Sequence, residues 1–182
     1  MTNKILVTYA SRSGTTAEVA EAIRMTLAET GAEVDRIAMQ DVTDLTPYHA
    51  VIAGSAIRAG HWLPEAVQFI RTHQSTLRHK PFAMYTVCIT LAMSGAEGYR
   101  QAVAGWTAPV RAIVPPLSEG LFAGRLDFTR LPFNWETLKL RATVALGIFP
   151  RGDHRDWNAI RTWAERLKPM LFVPVGVIQR TP

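Results

Sequence analysis

The chain has 182 residues, a hydrophobic fraction of 48% and a formal net charge of +5. A chain of this length can bury enough apolar surface for a single core, so we predict one domain over residues 1–182. Its one cysteine, Cys88, excludes an intrachain disulfide, and its longest apolar run, residues 170–178, is too short to span a bilayer. These features, and the early start of a strand, predict a cytoplasmic protein.

Apolar segments and helical patterns alternate along the chain in the order typical of βαβ units. The predicted strands are residues 5–9, 33–37, 50–54, 82–87 and 120–123. The predicted helices are residues 16–30, 64–73, 98–104 and 156–168, with Gly31, Gly105 and Pro169 as stop signals. Five strands at this spacing predict an α/β three-layer sandwich with a five-stranded parallel sheet in the order 2-1-3-4-5. In such a sheet the ligand lies at the carboxyl ends of strands one and three.

A hydroxyl-rich turn follows the first strand, at the start of the first helix. It contains Ser11, Arg12, Ser13, Gly14, Thr15 and Thr16. Hydroxyl and backbone N–H groups at a helix N-terminus can surround a phosphate, and the helix dipole favours its charge. The turn has neither the lysine of a Walker motif nor the glycine spacing of a dinucleotide motif, so it suits a terminal monophosphate such as that of FMN. The alternative is a capping box of Thr15 and Glu18, which would use the hydroxyls to satisfy the first N–H groups of the helix.

Basic residues are concentrated in the C-terminal part of the chain. Residues 1–60 carry five Lys/Arg and seven Asp/Glu, whereas residues 125–182 carry ten and five. This excess predicts an anionic partner, namely a membrane surface, an acidic protein, nucleic acid or a carboxylated small molecule. A solvated basic face without a specific partner is the alternative.

Residues 125–151 are too many for a strand-to-helix turn, so they predict an insertion after or within the fifth strand. Apolar residues at helical spacing in residues 134–149 predict a helix that either covers the sheet or meets an external partner. Basic residues lie among the aromatic residues of this insertion, and they suit a flat aromatic carboxylate or a membrane interface. They are Arg125, Arg130, Lys139 and Arg141.

Three segments carry a resemblance to known proteins. Residues 11–16 resemble the phosphate loop of flavodoxins. Residues 54–61, Gly-Ser-Ala-Ile-Arg-Ala-Gly-His, resemble the S-I-R-x-G-H loop of the bacterial flavodoxin-type, menaquinone-dependent protoporphyrinogen IX dehydrogenases, with Ser55 and Ala56 in swapped order. Residues 120–126, Gly-Leu-Phe-Ala-Gly-Arg-Leu, resemble the segment of that family that leads into a basic insertion. The resemblance covers nearly the whole chain and implies a flavodoxin-like fold.

The resemblance implies FMN as the cofactor, with its phosphate on residues 11–16. One side of the isoalloxazine would be lined by Ser55, Ala56, Ile57, Arg58, Ala59 and Gly60. The other side would be lined by Val87, Cys88, Ile89, Thr90, Leu91 and Ala92. The chain departs from the family at Ser13 and Ala59, where the family has an acidic and an aromatic residue. Residues 88–92 also lack the aromatic that many electron-carrier flavodoxins stack on the flavin.

Four side chains near these loops are singled out, and three of them have two interpretations. His61 and Trp62 would pack beside the ring, whereas Trp62 also fits a core position. Arg58 is the one candidate for a catalytic group, because it would bind an acidic group of the substrate or stabilise reduced flavin. An ordinary surface salt bridge is the alternative for Arg58. Cys88 is predicted to be a small core residue rather than a redox group.

The sequence therefore predicts an FMN-dependent oxidoreductase that resembles the dehydrogenases that oxidise protoporphyrinogen IX and reduce a membrane quinone. A flavodoxin-type electron carrier without its own substrate is one alternative, and an FMN-dependent quinone or NAD(P)H reductase is another. The partners implied are a quinone or a redox protein, an acidic porphyrin and the anionic inner face of the membrane, and neither nucleic acid nor a metal is expected. A homodimer stays open.

Overall fold

The computed structural model describes residues 4–29, 31–93, 96–126, 135–147 and 150–172. The strands are β1 (Ile5–Ala10), β2 (Val34–Ala38), β3 (Ala50–Arg58), β4 (His61–Trp62), β5 (Phe82–Cys88), β6 (Glu119–Ala123), β7 (Arg125–Leu126) and β8 (Gly152–Asp153). The helices are α1 (Thr15–Ala28), α2 (Pro64–Thr72), α3 (Gln74–Leu77), α4 (Ala96–Ile113), α5 (Trp135–Ala145) and α6 (Trp157–Leu171). Two 3₁₀ turns, Met39–Asp41 and Ile89–Ala92, follow β2 and β5.

Five parallel strands form the central sheet, in the order β2-β1-β3-β5-β6. This confirms the predicted order 2-1-3-4-5, since β4 lies off this path and pairs antiparallel with the end of β3. The two-residue strand β4 was not predicted. Strand β3 continues past its predicted end at residue 54 to Arg58, and β4 then turns the chain back at the carboxyl edge of the sheet.

Two apolar cores cover the two faces of the sheet. Alternate residues of β1 divide between them, with Leu6 in one core and Ile5 and Val7 in the other. The first core is completed by buried residues of α2, α3 and α4, and the second by buried residues of α1 and α6. The period of two along a strand therefore produces the predicted three layers, with helices on both faces.

Helix α4 is longer than predicted. The predicted end at Gly105 was wrong, because the helix continues through Pro109 to Ile113. A polar network holds the second half of the helix against β6. Arg111 donates to Ala104 O at 2.7 Å and to Glu119 Oε2 at 2.6 Å, and Thr107 donates to Glu119 Oε1 at 2.6 Å. The two bonds to Glu119 are tertiary contacts, and they outweigh the local helix-breaking signals of Gly105 and Pro109.

The predicted insertion lies after the fifth parallel strand, between two short strands that pair with each other. Strand β7 pairs antiparallel with β8, and His154 N donates to Gly124 O at 3.2 Å. The excursion therefore returns to the point where it left the sheet, and α5 lies between its two strands. Residues 127–134 and 148–149 of the insertion lie outside the described residues.

Candidate functional site

Three loops meet at the carboxyl edge of the sheet, because β1, β3 and β5 are adjacent parallel strands. Ala10 at the end of β1 pairs with Ser55, and Ala56 pairs with Val87 at the end of β5. The hydroxyl-rich loop, the β3–β4 hairpin and the 3₁₀ turn after β5 are therefore neighbours. The structure brings together the three predicted segments, 11–16, 55–60 and 87–92.

The hydroxyl-rich loop is closed by its own hydrogen bonds. Gly14 has φ +83°, a left-handed conformation that favours glycine, and its N–H donates to Ser11 Oγ at 3.0 Å. The hydroxyls of Ser13 and Thr15 lie 3.2 Å apart. Because Ser11 Oγ accepts this bond, its own O–H proton is available to a ligand.

The start of α1 has no side-chain cap. Gly14 occupies the N-cap position and makes no side-chain cap hydrogen bond. Glu18, the other half of the predicted capping box, has its carboxylate in an ion pair with Arg155 Nη1 at 2.5 Å. The capping-box alternative was therefore wrong, because it requires Thr15 as the N-cap residue, and that position is occupied by Gly14, which has no side chain to cap the helix.

Thr16 supplies an unsatisfied donor at this helix start. Its side chain is buried, and Thr16 Oγ1 has no hydrogen-bond partner among the described residues. A buried hydroxyl without a partner costs about 1–3 kcal/mol. Thr8, in the middle of β1, has a second such hydroxyl, but only Thr16 stands at the helix start. An anion bound there would accept from Thr16 and from the uncapped N–H groups, so the donor set fits a phosphate.

Arg12 is directed away from this donor set. Its guanidinium forms a double contact with Glu65 at the start of α2, at 2.7 Å and 2.9 Å. This pair connects the hydroxyl-rich loop to α2 and neutralises the loop's only cation. A cavity of about 220 Å³ adjoins the pair on the β2 side and is lined by Tyr9, Met39 and Gln40 among others.

A tight turn forms the tip of the β3–β4 hairpin. Arg58 pairs with His61, and the two residues between them, Ala59 and Gly60, have φ +49° and +76°. A left-handed conformation is unusual for alanine and stores strain of about 1 kcal/mol. Arg58, Ala59 and His61 are exposed, so the tip presents both backbone and polar side chains to solvent.

Buried hydrogen bonds hold the base of the hairpin. Ser55 Oγ accepts from Leu63 N at 3.1 Å and donates to Ala56 O at 2.8 Å. The Trp62 indole N–H donates to Thr86 Oγ1 at 2.9 Å, and the ring is 3% exposed. Trp62 therefore occupies the core position that was its alternative interpretation.

Trp106 is a site residue that the sequence analysis missed. A Cβ built on Gly60 would lie 3.5 Å from Trp106 Nε1, so the indole of α4 packs directly against the hairpin tip. The predicted helix ended at residue 104, which placed Trp106 in a loop. A prediction that continued α4 past residue 104 would have placed Trp106 on the helix.

The third loop is packed from behind by the end of β6. A Cβ on Gly124 would lie 3.4 Å from Ile89 N, so the start of the insertion contacts the 3₁₀ turn Ile89–Ala92. Cys88 is 5% exposed, and burial raises the pKa of its thiol. The thiol is therefore protonated at neutral pH, as expected for a core cysteine.

Two arginines anchor the insertion beside the first helix. The side chain of Arg155 is 3% exposed and binds Glu18 and Asp153, each at 2.5 Å, and its presence lowers the pKa of Asp153. Arg125 Nη2 lies 3.5 Å from Glu18 Oε1, and Arg125 Nε and Nη2 are buried without a hydrogen-bond partner among the described residues. The predicted substrate or membrane residue Arg125 thus faces α1.

The other predicted basic residues are not gathered with Arg125. Arg141 is exposed on α5, the side chain of Lys139 lies outside what the structure describes, and Arg130 lies outside the described residues altogether. Among the described residues, no helix combines the length and the apolar character needed to cross a bilayer.

The observed strand order, 2-1-3-4-5 along the five parallel strands, is that of the flavodoxin-like doubly wound fold. The flavodoxin-domain family matches residues 6–144, so the chain belongs to the flavodoxin family. This confirms the resemblance seen in the sequence.

Solved flavodoxins share this fold. A short-chain flavodoxin associated with a PDU bacterial microcompartment has a TM-score of 0.59 and 14% identity, with 92% of this chain and 98% of that chain covered. A single-site variant of the flavodoxin from Pseudomonas aeruginosa has a TM-score of 0.54 and 13% identity, with 92% of this chain and 98% of that chain covered. At these identities the likeness shows a common fold.

Curated relatives are named protoporphyrinogen IX dehydrogenase [quinone]. The one from Escherichia coli strain K12 is 29% identical over 86 residues, which are 46% of this chain and 48% of that protein. The one from Leishmania major is 27% identical over 133 residues, which are 71% of this chain and 58% of that protein. The matches therefore span about half the length of these relatives.

Proposed function

We propose that this protein is an FMN-dependent oxidoreductase that oxidises protoporphyrinogen IX and passes the electrons to a quinone. The observation that carries the proposal is the uncapped start of α1, where the buried Thr16 hydroxyl lacks a partner among the described residues. The hydroxyls of Ser11, Ser13, Thr15 and Thr16 would hold the FMN phosphate together with the first N–H groups of α1.

The other two loops would hold the ring. Backbone groups at Ala59 and Gly60 would lie on one side of it, and the 3₁₀ turn Ile89–Ala92 would lie on the other. Bound FMN supplies the redox chemistry, because it accepts electrons from a reduced substrate and passes them to an acceptor. The protein must therefore position the ring, exclude water from one side of it and orient the substrate.

Protoporphyrinogen as the substrate is supported by the names of the curated relatives and by charge. The substrate carries carboxylates, and Arg58 is exposed at the hairpin tip beside the expected ring. A guanidinium there would bind a carboxylate through paired N–H donors. Oxidation of the porphyrinogen to the porphyrin removes six electrons and six protons, so it requires three quinone molecules, each of which takes up two electrons and two protons to become a quinol.

The test is anaerobic turnover of protoporphyrinogen IX by the FMN-loaded protein with a menaquinone analogue, followed by porphyrin fluorescence. We expect fluorescence to grow only with protein present, compared with free FMN. Arg58→Ala should raise KM for the porphyrinogen about tenfold, because a charge-assisted contact is lost. Arg71→Ala is the matched control, since Arg71 is exposed near the end of α2, remote from the carboxyl edge of the sheet.

Absence of protein-dependent porphyrin formation, with flavin bound, would contradict the substrate assignment. Rapid flavin reduction by NAD(P)H would then favour the reductase alternative. Reduction only by another redox protein would favour an electron carrier.

A further inference from the structure

The phosphate site proposed at the start of α1 has no cation from its own loop. Arg12 is the only basic residue of the loop 11–16, and Glu65 holds it in a double contact at 2.7 Å and 2.9 Å. A phosphate monoester carries a charge of about −1.5 to −2 at neutral pH. Hydroxyls and the helix dipole would have to offset this charge alone, unless another element supplies a cation.

Two arginines from the neck of the insertion converge on the first turn of α1. The neck consists of β7, β8 and residues 154–155, and Arg125 in β7 pairs in register with Asp153 in β8. Nη2 of Arg125 and Nη1 of Arg155 lie 3.5 Å and 2.5 Å from the carboxylate oxygens of Glu18. Helical side chains tilt toward the N-terminus, so this carboxylate points back to the start of α1. Both guanidinium groups therefore lie on the side of α1 from which they could reach its start.

The two arginines differ in how fully their donors are used. Arg155 is 3% exposed, and it donates to Asp153 at 2.8 Å and 2.5 Å and to Glu18 at 2.5 Å. Its guanidinium also lies 4.3 Å from the centre of the Trp157 ring. The donors of Arg155 are therefore committed to the neck and to α1.

Arg125 has donors to spare. Its Nε and Nη2 are buried and have no hydrogen-bond partner among the described residues, and 3.5 Å to Glu18 is too long for a charge-assisted hydrogen bond. Burial of a guanidinium with unmet donors costs free energy, and a bound anion that accepts from them would remove this cost. Arg125 is therefore the arginine of the pair that can take a further anion.

A carboxylate of the substrate fits Arg125 less well than the cofactor phosphate does. The side chain of Arg125 is 17% exposed and faces α1, whereas Arg58 at the hairpin tip is exposed. A substrate that arrives from solvent meets Arg58 without any rearrangement. A phosphate held at the start of α1 instead lies on the side to which Arg125 is already directed.

We propose that Arg125 supplies the cation of the FMN phosphate site and so favours FMN over riboflavin. The inference rests on the proposed function, because it takes the FMN phosphate to lie on residues 11–16. It adds a residue from the insertion, more than 100 positions along the chain, to a site otherwise built from one loop. Bound FMN would then connect α1 to the neck of the insertion through its phosphate.

The test is parallel titration of the flavin-free full chain with FMN and with riboflavin, at low and high salt. Arg125→Met keeps an unbranched side chain without the charge. It should raise the Kd of FMN at least about tenfold and make it less sensitive to salt, because a charge-assisted contact is lost. The Kd of riboflavin should change by less than about twofold. Arg125→Lys keeps the charge without the guanidinium fork, so its Kd for FMN should fall between the two.

Arg151→Met is the matched control, because Arg151 is an exposed arginine of the same insertion. It should bind both flavins like the unchanged protein. An unchanged Kd for FMN in Arg125→Met, or the same increase in Arg151→Met, would overturn the proposal.

Urea unfolding of the flavin-free protein distinguishes this role from a structural one. Arg125→Met should keep or raise the unfolding midpoint, because an apolar side chain replaces a buried guanidinium with unmet donors. A lower midpoint, together with an equal loss of affinity for both flavins, would overturn the proposal and assign Arg125 to the stability of the neck.

Thr16→Val separates this inference from the proposed phosphate site. A selective loss of FMN affinity in Thr16→Val but not in Arg125→Met would mean that the phosphate binds the loop without Arg125, and only this inference would fail. The absence of a selective loss in both variants would refute the phosphate site as well. Porphyrinogen turnover enters neither comparison, so the substrate assignment is tested independently.

Discussion

Two residues at the carboxyl edge of the sheet have backbone conformations that the local sequence alone does not predict. Ala59 and Gly60 are both left-handed, yet only glycine adopts that region without strain. The sequence predicts that this pair lies in a loop, because polar residues follow the end of the third predicted strand. It could not give the backbone angles, because the two-residue turn depends on the pairing of Arg58 with His61.

The conformation of Gly60 gives a stability prediction. Gly60→Ala should lower the free energy of unfolding by about 1 kcal/mol, because alanine in a left-handed conformation is strained. The new methyl group would have room, since its nearest neighbour, Trp106 Nε1, is 3.5 Å away. Urea unfolding measures the change.

Gly105→Ala is the control for that substitution. Gly105 lies inside α4, and a Cβ there would meet nothing within 4 Å. Alanine should therefore raise the free energy of unfolding by about 0.5–1 kcal/mol through its helix propensity. The same effect for both substitutions would contradict the assigned conformation of Gly60.

At the scale of elements, the predictions succeeded where local pattern and tertiary structure agree. Strands β1, β3 and β5 were predictable because each is a largely apolar run between helical segments. Strand β4 and the second half of α4 were not, because one is two residues long and the other runs through Gly105 and Pro109. Trp106 was missed because the local signals end the helix at residue 104, before the residue whose indole packs against the hairpin tip.

The anchor between α1 and the insertion gives a second stability prediction. Arg155→Ala should lower the free energy of unfolding by about 1–2 kcal/mol, because it removes charge-assisted bonds to Glu18 and Asp153, whose side chains are 37% and 40% exposed and therefore stay partly hydrated. Arg161→Ala, at an exposed position of α6, should change it by less than about 0.5 kcal/mol. Thermal or urea unfolding of both variants measures the difference, and equal effects would show that the cluster does not hold the insertion.

On the scale of the whole molecule, the three loops and the insertion all leave the sheet at one edge. Parallel strands place their carboxyl ends together, which is why residues far apart in sequence, such as Thr16, Gly60 and Ile89, form one candidate site. The basic charge is also unevenly distributed, since the excess of Lys and Arg lies in residues 125–182, the part of the chain that contains the insertion. The order of the strands and the position of the loops were predictable from sequence, whereas the pairing of β7 with β8, which brings the insertion back to the edge of the sheet, was not, because each strand is only two residues long.

Binding of the FMN phosphate by the loop of residues 11–16 is tested most directly by titrating the protein with FMN and with riboflavin in parallel. Thr16→Val keeps the shape of the side chain but removes its hydroxyl. It should raise the Kd of FMN at least about tenfold, because a hydrogen bond to a charged group is lost, and leave that of riboflavin unchanged. Thr26→Val, which removes a buried hydroxyl bonded to Ala22 O farther along α1, should change neither. An unchanged Kd for FMN in Thr16→Val, or an equal loss for riboflavin, would contradict the assignment.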